Sequence, residues 1–101
     1  MAFPVEATDW ADIPLVLEDA ANPGFPKVNP TIAGGDFRIF DPDDTLSNMD
    51  NLPTVSPAAG QRVMLAPSAA ETDQEWVTIV AKDQTTPPEW LPQVLHFKTR
   101  T

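Results

Sequence analysis

Two apolar runs separated by a short polar corner dominate the pattern of this chain. The first is Arg62-Val63-Met64-Leu65-Ala66, and the second centres on Trp76-Val77-Thr78-Ile79-Val80-Ala81. β-branched and aromatic residues concentrated in the second run predict a strand. Trp76, Thr78 and Val80 alternate with Val77, Ile79 and Ala81, so both faces read as buried, the strand as central and Trp76 as core. The corner contains Ser68-Ala69-Ala70-Glu71, a capping-box pattern in which the serine hydroxyl accepts a forward amide and the glutamate reaches back. It predicts a helical turn carrying the chain from one sheet to another.

Upstream, Ile13, Leu15 and Leu17 alternate with Pro14, Val16 and Glu18, which predicts a first strand with an apolar inner face. Pro14 cannot donate to a ladder, so it marks the strand's start or a sheet edge. Residues 19–30, with three prolines, two asparagines and a glycine, predict a long loop that Phe25 anchors to the core. Residues 31–40 predict a short strand, a Gly34-Gly35 turn and a second strand with Phe37 and Ile39 inward and Arg38 and Phe40 outward. In residues 41–53, Leu46, Met49 and Leu52 recur every three positions. Their neighbours Ser47, Asn48, Asp50 and Asn51 are weak helix formers, so a loop with one helical turn is expected. Thr54-Val55-Ser56 predicts a small strand, Pro57-Ala58-Ala59-Gly60 a turn, residues 84–92 a proline-stiffened loop, and Val94-Leu95-His96-Phe97 the last strand.

Composition narrows this to one domain. The chain has 101 residues, with 12 prolines against 4 glycines, and the proline excess works against helix. The expected fold is all-β: a small Ig-like antiparallel β-sandwich over residues 13–98, with proline-rich loops and a short helical turn. An extended N-terminal arm (1–12) and a C-terminal tail (99–101) flank it. Phe3, Val5 and Trp10 are large apolar groups on that arm, either tucked along their own domain or inserted into a neighbour.

Charge excludes some partners. Fifteen acidic and six basic residues give a formal charge of −9, a field that repels phosphate backbones and anionic lipid, so neither nucleic acid nor membrane is an expected partner. With no cysteine, disulfides and thiolate metal sites are unavailable. Met1-Ala2-Phe3-Pro4 has neither the basic segment nor the apolar core of a signal peptide, so synthesis in the cytoplasm is expected.

Candidate chemistry is sparse. Asp41-Pro42-Asp43-Asp44 has a cation-like density of carboxylates, but an EF-hand loop starting there needs glycine and glutamate where Leu46 and Leu52 stand. It reads as a solvated acidic turn. His96 has no histidine or cysteine partner in the chain, and no Gly-x-Ser-x-Gly pattern occurs, so a structural histidine is expected. No catalytic, cofactor or metal residue is assigned, and the chain is read as non-enzymatic. Trp10 and Trp90 either seal the sheet ends or anchor an interface. The candidate partner-contact residues are Phe3, Val5, Trp10, Phe25, Phe40, Trp90 and Leu91.

Taken together, Ile13-Pro14-Leu15-Val16-Leu17-Glu18-Asp19, Gly34-Gly35-Asp36-Phe37, Ala69-Ala70-Glu71-Thr72 and the run 76–83 resemble a group of small β-sandwich virion proteins of tailed bacteriophages. The resemblance spans residues 13–97. It implies a virion structural protein made in the host cytoplasm and assembled in many copies against other virion proteins. The expected role is capsid cement or decoration, with a neck or tail accessory as the alternative. A second alternative is an Ig-like binding module for host-surface carbohydrate or protein, with Phe25 and Trp90 as contacts.

Overall fold

The computed structural model describes residues 7–10 and 13–99, and among them every regular element is a strand. The strands are β1 (Ile13–Val16), β2 (Phe37–Phe40), β3 (Leu46–Asn48), β4 (Thr54–Val55), β5 (Arg62–Leu65), β6 (Trp76–Ala81) and β7 (Gln93–Lys98). They form two antiparallel sheets, ordered β1-β5-β4 and β3-β2-β6-β7, consistent with a small β-sandwich. β6 is flanked on both sides by β2 and β7, as a central strand should be. β1 is an edge strand, which is where Pro14, opposite Met64, costs the ladder least.

One core joins the layers. Leu15, Val63 and Leu65 from the first sheet meet Phe37, Ile39, Val77, Ile79 and Ala81 from the second. Leu17, just past β1, and Trp90, before β7, complete it and are both fully buried. The Trp90 and Phe37 rings lie 5.7 Å apart at a tilt of 37°, and the indole N–H points at the Thr31 carbonyl at 3.5 Å. Large aromatic area thereby leaves water at the end of the sandwich.

Four local expectations are corrected. Leu46, Met49 and Leu52 do not form a helical turn: Leu46 pairs with Phe40 and Asn48 with Arg38, making β3. A tight connection permits this, since Asp41 N–H donates to the Thr45 carbonyl, Asp44 N–H donates to the Asp41 carbonyl, and Asp44 adopts φ 68°. Aspartate tolerates that left-handed backbone better than most residues. Residues 31–33 are not a strand, although Gly34 and Gly35 do turn the chain, with the Asp36 amide closing on the Ala33 carbonyl.

Phe25 does not anchor its loop; its ring is exposed. That loop is held instead by backbone bonds from Asp19 N–H to the Phe25 carbonyl and from Lys27 N–H to the Leu17 carbonyl. Trp76 is likewise not core. It stands at the first position of β6 on the face away from the other sheet, where nothing packs over it, and 53% of it is exposed.

The corner between β5 and β6 forms half of the expected box. Glu71 reaches back to the Ser68 amide at 2.9 Å, but the Ser68 hydroxyl donates to Asp50 at 2.6 Å. Thr72 N–H closes one turn onto the Ser68 carbonyl, and no helix follows. The described part of the arm lies along this corner. Ala7 and Trp10 amides donate to the Thr72 and Pro67 carbonyls, and Trp10 is buried edge-on to Phe97, the centroids 6.1 Å apart. At the other end, Thr99 donates its hydroxyl to the Gln74 carbonyl at 2.7 Å.

Candidate functional site

Of the seven predicted contact residues, the fold turns the two tryptophans inward. Trp10 and Trp90 are buried within this chain, Phe40 and Leu91 are half-buried, and Phe25 alone among those described is largely exposed, at 63%. Phe3 and Val5 lie outside the described residues. Nothing gathers these seven into one patch: Phe40 is on β2, Leu91 before β7, and Phe25 in the loop after β1.

A different surface stands out. Residues that pair across antiparallel strands share a face, so the register places Asn48, Arg38 and Val80 in one row with Val94, and Thr78 with His96 in the next. Leu46 and Phe40 continue that second row, and Trp76 pairs with Lys98 in a third. This is the outer face of the four-stranded sheet. Trp76 and Val94 on this face are 53% and 54% exposed, at opposite ends of the β6–β7 pairing, and Phe40, Leu46 and Val80 are half-buried. An outward sheet face is ordinarily polar, whereas half of these ten positions are apolar.

Sequence reasoning missed Trp76 and Val94 because each was read within a single strand. The signal was in the pairing: His96 and Lys98 mark the solvent-facing alternation of β7, Val94 shares it, and β6 must then present Trp76 there too. Lys98 Nζ sits 6.0 Å from the Trp76 ring centre and 3.9 Å from a Glu75 carboxylate oxygen. Thr78 Oγ1 and His96 Nδ1 lie 3.0 Å apart on this outer face, His96 exposed and Thr78 half-buried.

The buried carboxylates have structural partners. Asp36 accepts the amides of Ala33 and Gln84, and Glu71 those of Ser68 and Asp50. Asp83 accepts the Thr85 amide and hydroxyl and the Glu89 amide. Burial pushes the Asp83 carboxyl up, but these donors, with the Trp90 amide, outweigh it and hold the group below its ordinary value.

In the acidic turn, Asp41 accepts the Ser47 hydroxyl at 2.6 Å and Asp43 accepts the Thr45 amide at 3.1 Å. No grouping of three or more His, Asp or Glu side chains among the described residues could hold a metal ion. On the opposite sheet an open groove of about 490 Å³ runs between Val16, Val28, Pro57, Gly60 and Arg62. Its walls offer one cation and no nucleophile.

Comparison with known protein families, with curated proteins and with solved structures gave no match to this chain.

Proposed function

We propose that this chain is a non-enzymatic structural protein of a tailed-bacteriophage virion that acts by adhesion to neighbouring virion subunits. Capsid cement or decoration is the preferred role, and a neck or tail accessory the other. The observation that carries the reading is large apolar area left at the surface of both layers. Val16 and Val28 flank the groove on one sheet, and Trp76 and Val94 stand on the outer face of the other. Such side chains stay in water at a cost, which docking against another protein removes.

The strand pairing supports an Ig-like form of the sandwich. Taken in chain order as B, C, C′, D, E, F and G, the seven strands pair as B-E-D in one layer and C′-C-F-G in the other, the neighbours an immunoglobulin-like domain requires. A rigid body of this kind, with loops stiffened by proline, suits a part whose task is to hold a position.

Mass spectrometry of purified particles tests the reading. Hundreds of copies per particle are expected for a shell component and a handful for a tail component; particles that lack the chain would overturn it. Phe25, exposed on its loop, favours as second reading a module that binds host-surface carbohydrate or protein. Binding of purified monomer to host cells, lost on Phe25→Ala, would select that alternative. Trp90, its other expected contact, is inside the fold.

A further inference from the structure

Three of the four sheet edges are blunted: β4 has two residues, β3 has three, and β1 carries Pro14. β7 is different. It is six residues long, contains no proline, and among the described residues no strand lies on its far side. The Thr99 amide donates to the Glu75 carbonyl at 2.8 Å, which fixes the phase of the β6–β7 ladder. Antiparallel pairs alternate between bonded and unbonded, so Phe97, Leu95 and Gln93 bond to Val77, Ile79 and Ala81. Val94, His96 and Lys98 therefore turn their N–H and C=O groups outward along an open edge. The core side of β7 is incomplete as well. Leu95 and Phe97 point inward yet stay half-buried, whereas Val77, Ile79 and Ala81 on the adjoining strand are fully buried.

We infer that β7 pairs antiparallel with β7 of a second copy of the chain, about a two-fold axis that stands perpendicular to the sheet at His96. The two sheets become one, in the order β3-β2-β6-β7-β7-β6-β2-β3, with both outer faces on the same side. His96 pairs with its own equivalent, and Val94 of each copy with Lys98 of the other, so every outward backbone group of these residues finds a partner. A slip of two residues toward the start of the strand would set Pro92, which has no N–H, against Lys98. On the core side the same register sets Leu95 of one copy against Phe97 of the other, twice, in the closer, unbonded kind of pair. One symmetric register thus completes the open edge and the half-buried apolar pair together, and this selects a second copy as the occupant. Lys98, the one charged residue of β7, lies beside Val94 of the second copy, and the two lysines stand about 14 Å apart.

The contact is weak. A strand of six residues spans about 20 Å, and an edge of that length buries far less than the roughly 1,200 Å² of stable interfaces. The net charge of −9 opposes association until salt screens it. This inference does not rest on the virion reading, since a chain absent from particles could still pair its edges and a particle component could remain monomeric.

Sedimentation equilibrium and amide hydrogen exchange of the full chain, carried to about 1 mM because small interfaces bind weakly, read the outcome. The expected result is a concentration-dependent dimer in which the Val94, His96 and Lys98 amides gain protection as it forms. The Leu95 and Phe97 amides, already bonded to β6, are the internal reference. His96→Pro removes an N–H that β6 does not use, a change edge strands accept, and should raise the dissociation constant about tenfold or more. The chain has no cysteine, so His96→Cys places a single thiol on the axis, with the two Cα atoms about 5.5 Å apart and within disulfide reach. Mild oxidation should link this variant into a covalent dimer far faster than Val94→Cys, whose thiols would be about 14 Å apart. A chain that stays monomeric, a dimer whose outward β7 amides exchange as they do in the monomer, or crosslinking at position 94 as ready as at 96 overturns the inference.

Discussion

Glu71 holds Ser68 from behind. Its carboxylate accepts the Ser68 amide at 2.9 Å through one oxygen and, through the other, the Asp50 amide at 2.9 Å, and the side chain is almost wholly buried. One residue thus closes the corner that hands the chain from the first sheet to the second and ties it to the segment after β3. Both partners are donors, so the site requires two acceptors.

Glu71→Gln is therefore not a conservative change. The amide keeps the shape but supplies one acceptor oxygen, and its NH₂ group must face a backbone N–H. A buried donor left unpaired costs about 1–3 kcal/mol. For a domain of this length each lost kcal/mol lowers the melting temperature by about 4–8 °C. Urea denaturation of the two proteins measures the difference; stabilities equal within about 0.5 kcal/mol would show that the corner relaxes around the amide.

Asp83 makes stability depend on pH. Its carboxyl titrates below its ordinary value in the folded chain because the Thr85, Glu89 and Trp90 donors outweigh the effect of burial. In the unfolded chain the group returns to about 3.9. A depressed folded value means the stabilisation is whole above the unfolded pKa and fades as pH falls through the folded one. Asp83→Asn removes the charge that those donors address, so at pH 7 it should cost about 1.5–3 kcal/mol, the range for hydrogen bonds to charged groups. Below about pH 4 the gap between the two proteins should shrink as wild-type Asp83 takes up a proton. A gap that is constant from pH 7 to the acid limb, followed by chemical denaturation at each pH, would remove the charge from the explanation.

Where the code is local, the chain discloses it. The alternation of Ile13, Leu15 and Leu17 and that of Phe37 and Ile39 each identified a strand and its inner face, and the β-branched run of β6 identified a strand, though not which of its faces is inward. The errors share one cause, which is pairing between segments distant in sequence. Leu46 has helical spacing to Met49 and Leu52, yet Phe40 across the β2–β3 turn decides its conformation. Trp76 has the composition of a core residue, but it stands on the outward face of β6, which the other sheet does not cover, and Lys98 is its neighbour there. The same limit hid the surface on which function is proposed. Trp76 and Val94 are separated in sequence and become one surface only through the β6–β7 register, while Trp10 and Trp90, flagged because they sit in irregular segments, are drawn into the core by contacts to Phe97 and Phe37.

Thr72 is the clasp between the described part of the arm and the body. Fully buried, its hydroxyl donates to the Thr8 carbonyl at 2.6 Å and accepts the Thr8 amide at 3.0 Å, while the Thr72 carbonyl accepts the Ala7 amide at 3.1 Å. Thr72→Val keeps the volume and removes both hydroxyl bonds to Thr8, each worth about 0.5–1.5 kcal/mol, together with the 3.2 Å contact to the Ala69 carbonyl. Thr72→Ser restores the hydroxyl and serves as the control. Amide hydrogen exchange should then quicken at Ala7 and Thr8 in the valine variant, because local opening of 7–10 no longer has to break those bonds. Val77 and Ile79 in β6 sit in the core and should slow or quicken only with global stability. Their rates separate release of the arm from general loosening: equal acceleration at Ala7, Thr8 and the β6 amides would make Thr72 a core residue whose loss is felt everywhere, and unchanged exchange at Thr8 would show that the Ala7 and Trp10 backbone bonds, the Asp9 carboxylate and the Trp10–Phe97 packing hold the segment without the Thr72 hydroxyl.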